Sequence, residues 1–544
     1  MHNNRVVILI IIIASSLLFI PFTGITHLFD WDEANFAEAA REMIATGDYL
    51  SVQINYLPFH EKPPLFIWMQ ALSMSIFGVN ELAARFPNAI CGILTLLVIY
   101  LTGTKTVDRR FGLIWVMCYA GSILPFFYFK SGIIDPWFNL FIFTGLYFYI
   151  RSITHQPHLH MLLSGLFIGL AVLTKGPVGF LIFFLTIMVH LIIQRFKGLP
   201  PFSSWLIFTA TLIVTGCFWF VLQIAAGREQ LMMDFIRYHL RLLRTGDAGH
   251  SGFPLYHPIV LYFGVFPSSL LALATLSRKT NTVFPAPGLR LWMIILLSVV
   301  LILFSIVKTK IVHYSSLCYF PITFLAAMFI WNYYKETRPI SKRLSIMLIV
   351  TGTLIALAVF AVPLTARNSE ILFRTGILRD SFAAENLKAN IQWTGLEWLI
   401  CLAFAGIIAY SAVSARNQKR HAFILLYAAT ICFTYLLMII FVPRIEGITQ
   451  RAAIEFYQKA GNEDRYLSTF GFKSYAFLFY SKKKPSPPHT ADREWLLTGD
   501  IDKPAYFVTK ITKKDVFLFR YSGITFLYDK NGYAFFVRYP VSQP

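Results

Sequence analysis

Repeated apolar runs constrain the fold of this chain more than any other feature. Each run holds about 20 residues, which as a helix crosses the roughly 30 Å of hydrocarbon in a bilayer. The runs lack the period-two alternation of membrane barrels, and backbone groups in lipid must be hydrogen-bonded within the protein. They therefore predict about 13 transmembrane helices. The runs lie near residues 5–23, 84–104, 111–129, 134–151, 159–174, 177–193, 205–226, 257–277, 289–307, 312–334, 343–363, 396–414 and 421–442.

The composition agrees with a membrane protein. Hydrophobic residues make up 56% of the 544, charged residues 14%, and the mean hydropathy is +0.59. A soluble domain has about a quarter of its residues charged. The predicted fold class is a polytopic α-helical membrane protein.

The net charge of +20 follows the expected topology. Basic residues gather in alternate short loops between the runs, and such loops face the cytoplasm. This places the N-terminus in the cytoplasm and the loops 24–83, 227–256 and 364–395 outside. Because the charge is explained by topology, we expect no nucleic acid partner.

The tail, residues 443–544, differs from the membrane part, residues 1–442. Alternating strands flank Asn531-Gly532, which predicts a β-hairpin. The segment "AAIEFYQKAG" predicts a helix that ends at Gly461. We expect a small external α/β domain.

The acidic segment "DWDEANFAEAAREM", Asp30–Met43, directly follows the first run. Its apolar residues recur at helical spacing, which predicts an amphipathic helix on the bilayer surface. Glu38, Arg41 and Glu42 are expected on its solvated face, paired with one another. Asp32 and Glu33 lie at the start of the helix, where a capping role and a functional role are both open.

The segment "FHEKPPLFIW" collects His60, Glu61 and Lys62 before two stiffening prolines. A lysine is a compact partner for phosphate. Glutamate together with histidine suits a metal ion. We therefore expect a binding role for this segment.

Further ionisable residues occur at the external ends of the runs, where such side chains indicate a functional site. Asp135 is either a helix cap or a site acid, and Lys175 lies between two runs. Carboxylates and lysines beside lipid suit a substrate with a phosphate and a fatty tail, the acids serving as base and the lysines holding phosphate. No nucleotide-binding loop is evident. The other residues are His250, His257, Lys308, Lys310, His313 and Tyr314.

The Asp30–Met43 segment resembles the D-E-x-x-[YF]-A-E-x-A-R-E-M signature of the bacterial aminoarabinose lipid A transferases. These belong to a superfamily similar to the polyprenyl-phosphate-mannose-protein mannosyltransferases. "FHEKPPLFIW" is similar to its E-K-P-P-L segment, and "LTKGPVG" and "KTKIVHYSSLCYFP" also fit. The resemblance implies a GT-C glycosyltransferase that takes a sugar from a polyprenyl-phosphate carrier at the external face, with inversion.

The resemblance also implies roles for single residues. Asp32 matches the catalytic acid, Asp135 the acid of the second loop, and Lys62 the phosphate-binding lysine. Glu61 and His250 match positions that hold a divalent metal, which would be zinc, manganese or magnesium. The stretch "SGFPLYHP" after His250 departs from the pattern. We add Lys175, Lys308, Lys310 and Tyr314 to the predicted donor-phosphate site.

The sequence thus predicts a multi-pass glycosyltransferase of the bacterial inner membrane with its active site facing the periplasm. Its predicted partners are a polyprenyl-phosphate-linked sugar and a lipid A-like, glycan or protein acceptor. A flippase for the same lipid is the alternative, but it needs polar residues through the membrane. A non-catalytic assembly subunit is disfavoured by Asp32 and Lys62 together.

Overall fold

A computed structural model describes residues 2–244, 253–277, 284–336, 338–376 and 379–540. Most of this part is helical. Its α-helices are α1 (His2–Phe19), α2 (Asp32–Thr46), α3 (Leu65–Phe77), α4 (Glu81–Thr106), α5 (Arg109–Ala120), α6 (Ile123–Tyr128), α7 (Asp135–Ser152), α8 (Pro157–Lys175), α9 (Val178–Ile193), α10 (Phe202–Gly216), α11 (Phe218–Ala225), α12 (Glu229–Arg244), α13 (Tyr256–Gly264), α14 (Ser268–Ser277), α15 (Pro287–Ile306), α16 (Tyr319–Glu336), α17 (Lys342–Arg367), α18 (Ser369–Arg374), α19 (Ser381–Asn386), α20 (Glu397–Arg416), α21 (Ala422–Leu436), α22 (Val442–Thr449), α23 (Arg451–Ala460), α24 (Ala476–Tyr480), α25 (Arg493–Thr498) and α26 (Lys514–Arg520).

Every predicted apolar run falls on helical structure. Within the described ranges, seven helices are long and apolar enough to cross a membrane. The count rises to nine if the pairs α10–α11, bent by 51°, and α13–α14, bent by 112°, each form one span. The remaining runs lie on shorter or more polar helices, among them α1, α7 and α9. The helical membrane fold class is thus confirmed.

Helix α16 lies at the centre of the helical bundle. It continues the 3-10 helix Val312–Cys318, and all of its residues from Tyr319 to Tyr333 are buried within the protein. Trp115 of α5 donates a hydrogen bond to Thr323 Oγ1 of α16 at 3.1 Å. The packing of α16 fixes the position of the 3-10 helix, which carries His313 and Tyr314.

The third to sixth strands of the chain lie in the C-terminal region and are β3 (Tyr466–Phe470), β4 (Ala505–Lys510), β5 (Thr525–Lys530) and β6 (Tyr533–Arg538). They form a four-stranded sheet in the order β3-β4-β6-β5. β3 pairs parallel to β4, and the other pairs are antiparallel. The predicted turn at Asn531-Gly532 is present, with φ of 48° and 79°. Helix α23 ends at Ala460, directly before Gly461, as predicted.

The predicted bilayer-surface helix, α2, is instead enclosed by protein. All residues from Glu33 to Met43 are buried, between α3, α4 and α24 of the C-terminal region. The expectation of a solvated face with Glu38, Arg41 and Glu42 is therefore wrong. Burial of the charges of Glu38 and Arg41 is tolerated because Arg41 binds both carboxylate oxygens of Glu38 at 2.7 Å.

Glu42 anchors a short hairpin that follows α2. The strands β1 (Gln53–Ile54) and β2 (Leu57–Pro58) are joined by Asn55 and Tyr56, whose φ angles are 59° and 57°. The carboxylate of Glu42 accepts the backbone N–H groups of Asn55 at 2.6 Å and of Tyr56 at 2.8 Å. Lys483 of the C-terminal region donates to Asn55 Oδ1 at 2.6 Å. The hairpin leads directly to the segment with Lys62, so this network positions that segment.

Candidate active site

Asp32 and Glu33, adjacent at the start of α2, have different environments. Glu33 accepts two hydrogen bonds from Arg85 and one each from the N–H groups of Phe29 and Gly132. Burial opposes ionisation of Glu33, but the charge and hydrogen bonds of Arg85 outweigh it and lower the pKa of the carboxyl group. Glu33 is therefore structural, whereas the side chain of Asp32 is 43% exposed and open to a ligand.

Asp135 and Lys175 form a buried ion pair. Asp135 is the first residue of α7, and Lys175 is the last residue of α8. A carboxylate is favoured at the start of a helix and a cation at its end. Lys175 Nζ lies 2.6 Å from Asp135 Oδ1. It also lies 5.1 Å from the ring centre of Tyr314 and 5.5 Å from that of Phe138. Tyr314 thus holds Lys175 through its ring face.

His313 joins the two acids, a role that sequence reasoning missed. Its Nε2 lies 3.4 Å from Asp32 Oδ2 and 3.8 Å from Asp135 Oδ2. The sequence placed His313 at the mouth of a span but gave it no role in the site. Its position between Lys310 and Tyr314, both predicted site residues, was the available signal.

Lys62 lies in the same charge cluster. Its side chain is half-buried, and burial together with the positive charge of Lys175 lowers the pKa of its ammonium group, against the opposing effect of Glu61, Asp32 and Asp135. Glu61 accepts a hydrogen bond from the Tyr238 hydroxyl at 3.4 Å. The structure therefore brings together five of the predicted residues around Asp32. They are Asp135, Lys62, Lys175, Tyr314 and Glu61.

Lys310 has a different role from the predicted one. Its ammonium group donates to the carbonyl oxygens of Phe304, Ser305 and Val307 at 2.9, 2.7 and 2.6 Å. An ammonium group has three donors, so Lys310 caps α15 and has none left for a phosphate. The prediction that Lys310 binds the donor phosphate is therefore wrong. Lys308 is exposed, and its predicted role stays a prediction.

Of the two predicted metal ligands, the structure describes Glu61, whereas His250 lies outside the described residues. The neighbouring His257, which was not predicted as a ligand, is buried, with Nδ1 3.1 Å from Ser315 Oγ. In the ranges that the structure describes, no three His, Cys, Asp or Glu side chains are grouped as metal ligands. Glu61 alone does not define a metal site, so we derive no chemical step through a metal.

A cavity of about 390 Å³ opens beside Asp32. Its walls come from residues 29–33, from Ile133 and Tyr256, and from the segment 310–312. The exposed carboxylate can accept a proton from a bound hydroxyl group, while Lys62 supplies positive charge nearby and Lys175 offsets the negative charge of Asp135. Such an arrangement suits displacement of a phosphate leaving group.

Comparison with known proteins finds a family and relatives to which this chain is similar. Residues 61–222 match the family described as dolichyl-phosphate-mannose-protein mannosyltransferase. An undecaprenyl phosphate-alpha-4-amino-4-deoxy-L-arabinose arabinosyl transferase of Pectobacterium carotovorum is 26% identical over 441 residues, covering 75% of this chain and 77% of that protein. An uncharacterised protein of Aquifex aeolicus is 25% identical over 372 residues, covering 67% and 71%.

The fold has a close counterpart among solved structures. The crystal structure of ArnT from Cupriavidus metallidurans bound to undecaprenyl phosphate superposes with a TM-score of 0.74 at 16% identity, covering 97% of both chains. The family match, the sequence relatives and the fold together support a membrane glycosyltransferase of the GT-C type. In sequence and fold the chain is similar to the superfamily of the ArnT and dolichyl-phosphate-mannose-protein mannosyltransferase enzymes. The resemblance that was based on the acidic segment Asp30–Met43 and on the segment with Lys62 is thus confirmed.

Proposed function

We propose that this enzyme transfers a sugar from an undecaprenyl-phosphate-type carrier to an acceptor at the periplasmic face of the bacterial inner membrane. The observation that carries the proposal is the convergence of Asp32, His313 and Lys62 with the Asp135–Lys175 pair at the ends of apolar helices. The names of the arabinosyl transferase relatives support the carrier.

In the proposed reaction Asp32 takes the proton of an acceptor hydroxyl group. The hydroxyl oxygen bonds to the anomeric carbon as the bond from that carbon to the phosphate oxygen breaks, and the electron pair leaves with the phosphate. Lys62 meets the growing negative charge on the phosphate. Attack from the face opposite the phosphate inverts the anomeric configuration.

His313 and the Asp135–Lys175 pair act around this reaction. His313 lies within 3.8 Å of both acids and keeps Asp32 directed toward the cavity. Lys175 neutralises Asp135, so that the second carboxylate does not repel the phosphate. Lys308 completes the proposed phosphate site. A divalent metal held by Glu61 and His250 is a separate part of the proposal.

The same proposal assigns the sides of the membrane. The loops 24–83, 227–256 and 364–395 and the α/β domain, residues 443–544, face the periplasm, and residues 1–442 form the membrane domain. The acceptor is a lipid A-like glycolipid, a glycan or a protein. A flippase is disfavoured because the charged groups named above gather at one end of the helical bundle.

The test is sugar transfer by purified variants, with donor binding measured in parallel. Asp32→Asn is expected to lower turnover by about 100- to 10,000-fold with donor binding retained. Lys62→Ala is expected to weaken donor binding as well, because its charge acts before the reaction too. Glu494→Gln and Lys484→Ala, at exposed positions of the α/β domain, are the matched controls. Near-normal transfer by Asp32→Asn would contradict the base assignment.

A further inference from the structure

A wide pocket of about 550 Å³ lies where α7 ends and α8 begins, at the ends of these helices that are opposite to Asp135 and Lys175. Its wall comes from the turn between the two helices and from their adjoining ends, and it contains no carboxylate. Under the proposed topology this end of the helical bundle faces the cytoplasm. The lining residues are Arg151, Thr154, His155, Gln156 and His160.

The guanidinium group of Arg151 is available to a ligand. Arg151 lies in the last turn of α7 and is half-buried. Across the described ranges, no hydrogen bond or ion pair engages its side chain. The sequence holds no Asp or Glu from residue 136 to residue 228, so α8, α9 and α10 contain no acid that could pair with it. A guanidinium group presents its N–H donors as a fork that matches two oxygens of a phosphate.

The two histidines of the wall each keep one ring nitrogen for a ligand. His155 Nδ1 lies 2.7 Å from the carbonyl oxygen of Thr154, and His160 Nδ1 lies 2.5 Å from that of His155. Because a carbonyl oxygen only accepts, each Nδ1 carries a proton and donates it, which leaves Nε2 for another partner. The ring of His160 also stacks on Phe148 with 5.9 Å between the ring centres, which fixes its orientation.

Apolar side chains beside the pocket are exposed, as side chains that face lipid are. Leu159 of α8 is exposed one turn from the pocket, and so are Phe202 and Leu206 of α10. The two helices meet at this level, because His158 Nε2 lies 3.0 Å from Ser203 Oγ. The pocket therefore lies at the boundary between lipid and water. Basic pockets between helices at the cytoplasmic boundary suit anionic lipid head groups.

We propose that this pocket binds the head group of an anionic phospholipid of the cytoplasmic leaflet. The phosphate oxygens bind the guanidinium group of Arg151 and the imidazole rings of His155 and His160, while the acyl chains lie along α8 and α10. The bound lipid bridges α7 and α8 at the end opposite to the Asp135–Lys175 pair and so holds the two helices together. This inference goes beyond the proposed function and takes from it only the topology.

The test compares the binding of phosphatidylglycerol with that of phosphatidylcholine, which has no net charge, to the purified full chain in a neutral detergent. Native mass spectrometry measures both affinities. The unsubstituted protein is expected to bind phosphatidylglycerol at least about ten-fold more tightly, a difference in binding free energy of about 1.4 kcal/mol. The double substitution Arg151→Gln and His160→Gln should remove this preference. Phosphatidylglycerol should also raise the melting temperature of the unsubstituted protein but not that of the double variant.

The matched control is the double substitution Arg195→Gln and Lys197→Gln. Both residues are exposed in the loop between α9 and α10, at the same end of the bundle, and neither lines the pocket. The control should keep the preference for phosphatidylglycerol. A further variant, Arg151→Lys, keeps the charge but loses the fork of donors, so it should weaken phosphatidylglycerol binding several-fold without changing the melting temperature of the lipid-free protein.

Equal binding of the two phospholipids by the unsubstituted protein would overturn the lipid site. An equal loss of preference in the control at Arg195 and Lys197 would also overturn it, because general attraction between charges would then explain the binding. Displacement of phosphatidylglycerol by inorganic phosphate at the same concentration would show that the pocket takes a free anion instead. Neither transfer activity nor orientation in the membrane enters a measurement in detergent, so a failure of the proposed function would leave these results unchanged.

Discussion

Lys175 Nζ lies 2.6 Å from Asp135 Oδ1, although 40 residues separate the two in the chain. They meet because α7 begins and α8 ends at the same edge of the bundle. The ammonium group therefore serves first as the partner of a buried carboxylate. Its predicted role at the phosphate depends on that pair being intact.

Substitution Lys175→Met is expected to destabilise the protein by about 3–5 kcal/mol, because it leaves Asp135 charged, buried and unpaired. Adding Asp135→Asn should restore most of the stability but not the transfer activity. Thermal unfolding in detergent and a transfer assay measure the two effects. Lys530→Met is the matched control, since its pair with Glu455 is about half exposed and contributes at most about 1 kcal/mol. Similar losses for Lys175→Met and Lys530→Met would contradict this account.

The pH dependence of stability is expected to report Glu42. Burial and the neighbouring charge of Glu38 raise the pKa of Glu42 from 4.5 to about 8. Between these values the folded protein holds a proton that the unfolded chain has lost. The free energy of unfolding therefore falls as pH rises from about 4.5 to about 8. Glu42→Gln, which resembles the protonated side chain, should flatten this slope.

A second substitution at the same position tests the hydrogen bonds of Glu42. Glu42→Ala removes both acceptors for the N–H groups of Asn55 and Tyr56, whereas Glu42→Gln keeps one acceptor oxygen. Glu42→Ala is expected to lower stability by about 1–3 kcal/mol per unsatisfied group and to weaken donor binding, because the hairpin leads to Lys62. If Glu42→Ala and Glu42→Gln bind donor equally well, the hairpin does not position Lys62.

Lys308 and Lys310 are expected to respond differently to the same substitution. Lys310→Met leaves three carbonyl oxygens at the end of α15 without their donor, so the melting temperature should fall. Lys308→Met should leave stability unchanged and raise the KM for the donor if Lys308 binds its phosphate. An unchanged melting temperature for Lys310→Met would show that the cap is dispensable.

The proposed topology predicts opposite sides for two reporter fusions. A reporter after Arg110 should be cytoplasmic, because this residue lies in a short basic loop. A reporter after Gly461 should be periplasmic. Paired alkaline phosphatase and fluorescent protein fusions measure both positions. Reporters on the same side would remove the assignment of the active site to the periplasm.

The proposed metal is expected to depend on Glu61. Purified protein should contain about one zinc, manganese or magnesium ion per chain, and Glu61→Gln should lose it, because mixed carboxylate and imidazole ligands suit such ions. Elemental analysis measures the content, and transfer is assayed before and after chelation. Metal-free protein with full activity would end this part of the proposal.

The sequence was sufficient for the membrane helices, for the β-hairpin at Asn531-Gly532 and for the residues that surround Asp32. These features follow from hydropathy, from local turn chemistry and from motifs of adjacent residues. The sequence was insufficient to predict that Glu38 and Glu42 are buried. Helical periodicity identifies the apolar face of α2, but it does not reveal that a hairpin and a distant domain cover the polar face.

The incorrect prediction that Lys310 binds the donor phosphate has a similar cause. Lys308 and Lys310 are the same residue type and lie two positions apart. The sequence does not show which of the two side chains contacts the end of α15. His313 was missed for the opposite reason, since its partners Asp32 and Asp135 are 281 and 178 residues away. Contacts across such separations depend on how the helices pack.

The hydrogen bonds of Asp30 have a consequence for the biogenesis of the enzyme. The ribosome makes the loop with Asp30 and Asp32 near the start of translation, and the N–H groups of Tyr475 and Ala476 that hold Asp30 emerge more than 440 residues later. Until then the nascent chain is inserted in the membrane while this loop lacks two of its hydrogen-bond donors. A prematurely terminated chain would therefore occupy the membrane without the two N–H groups that hold Asp30 in place.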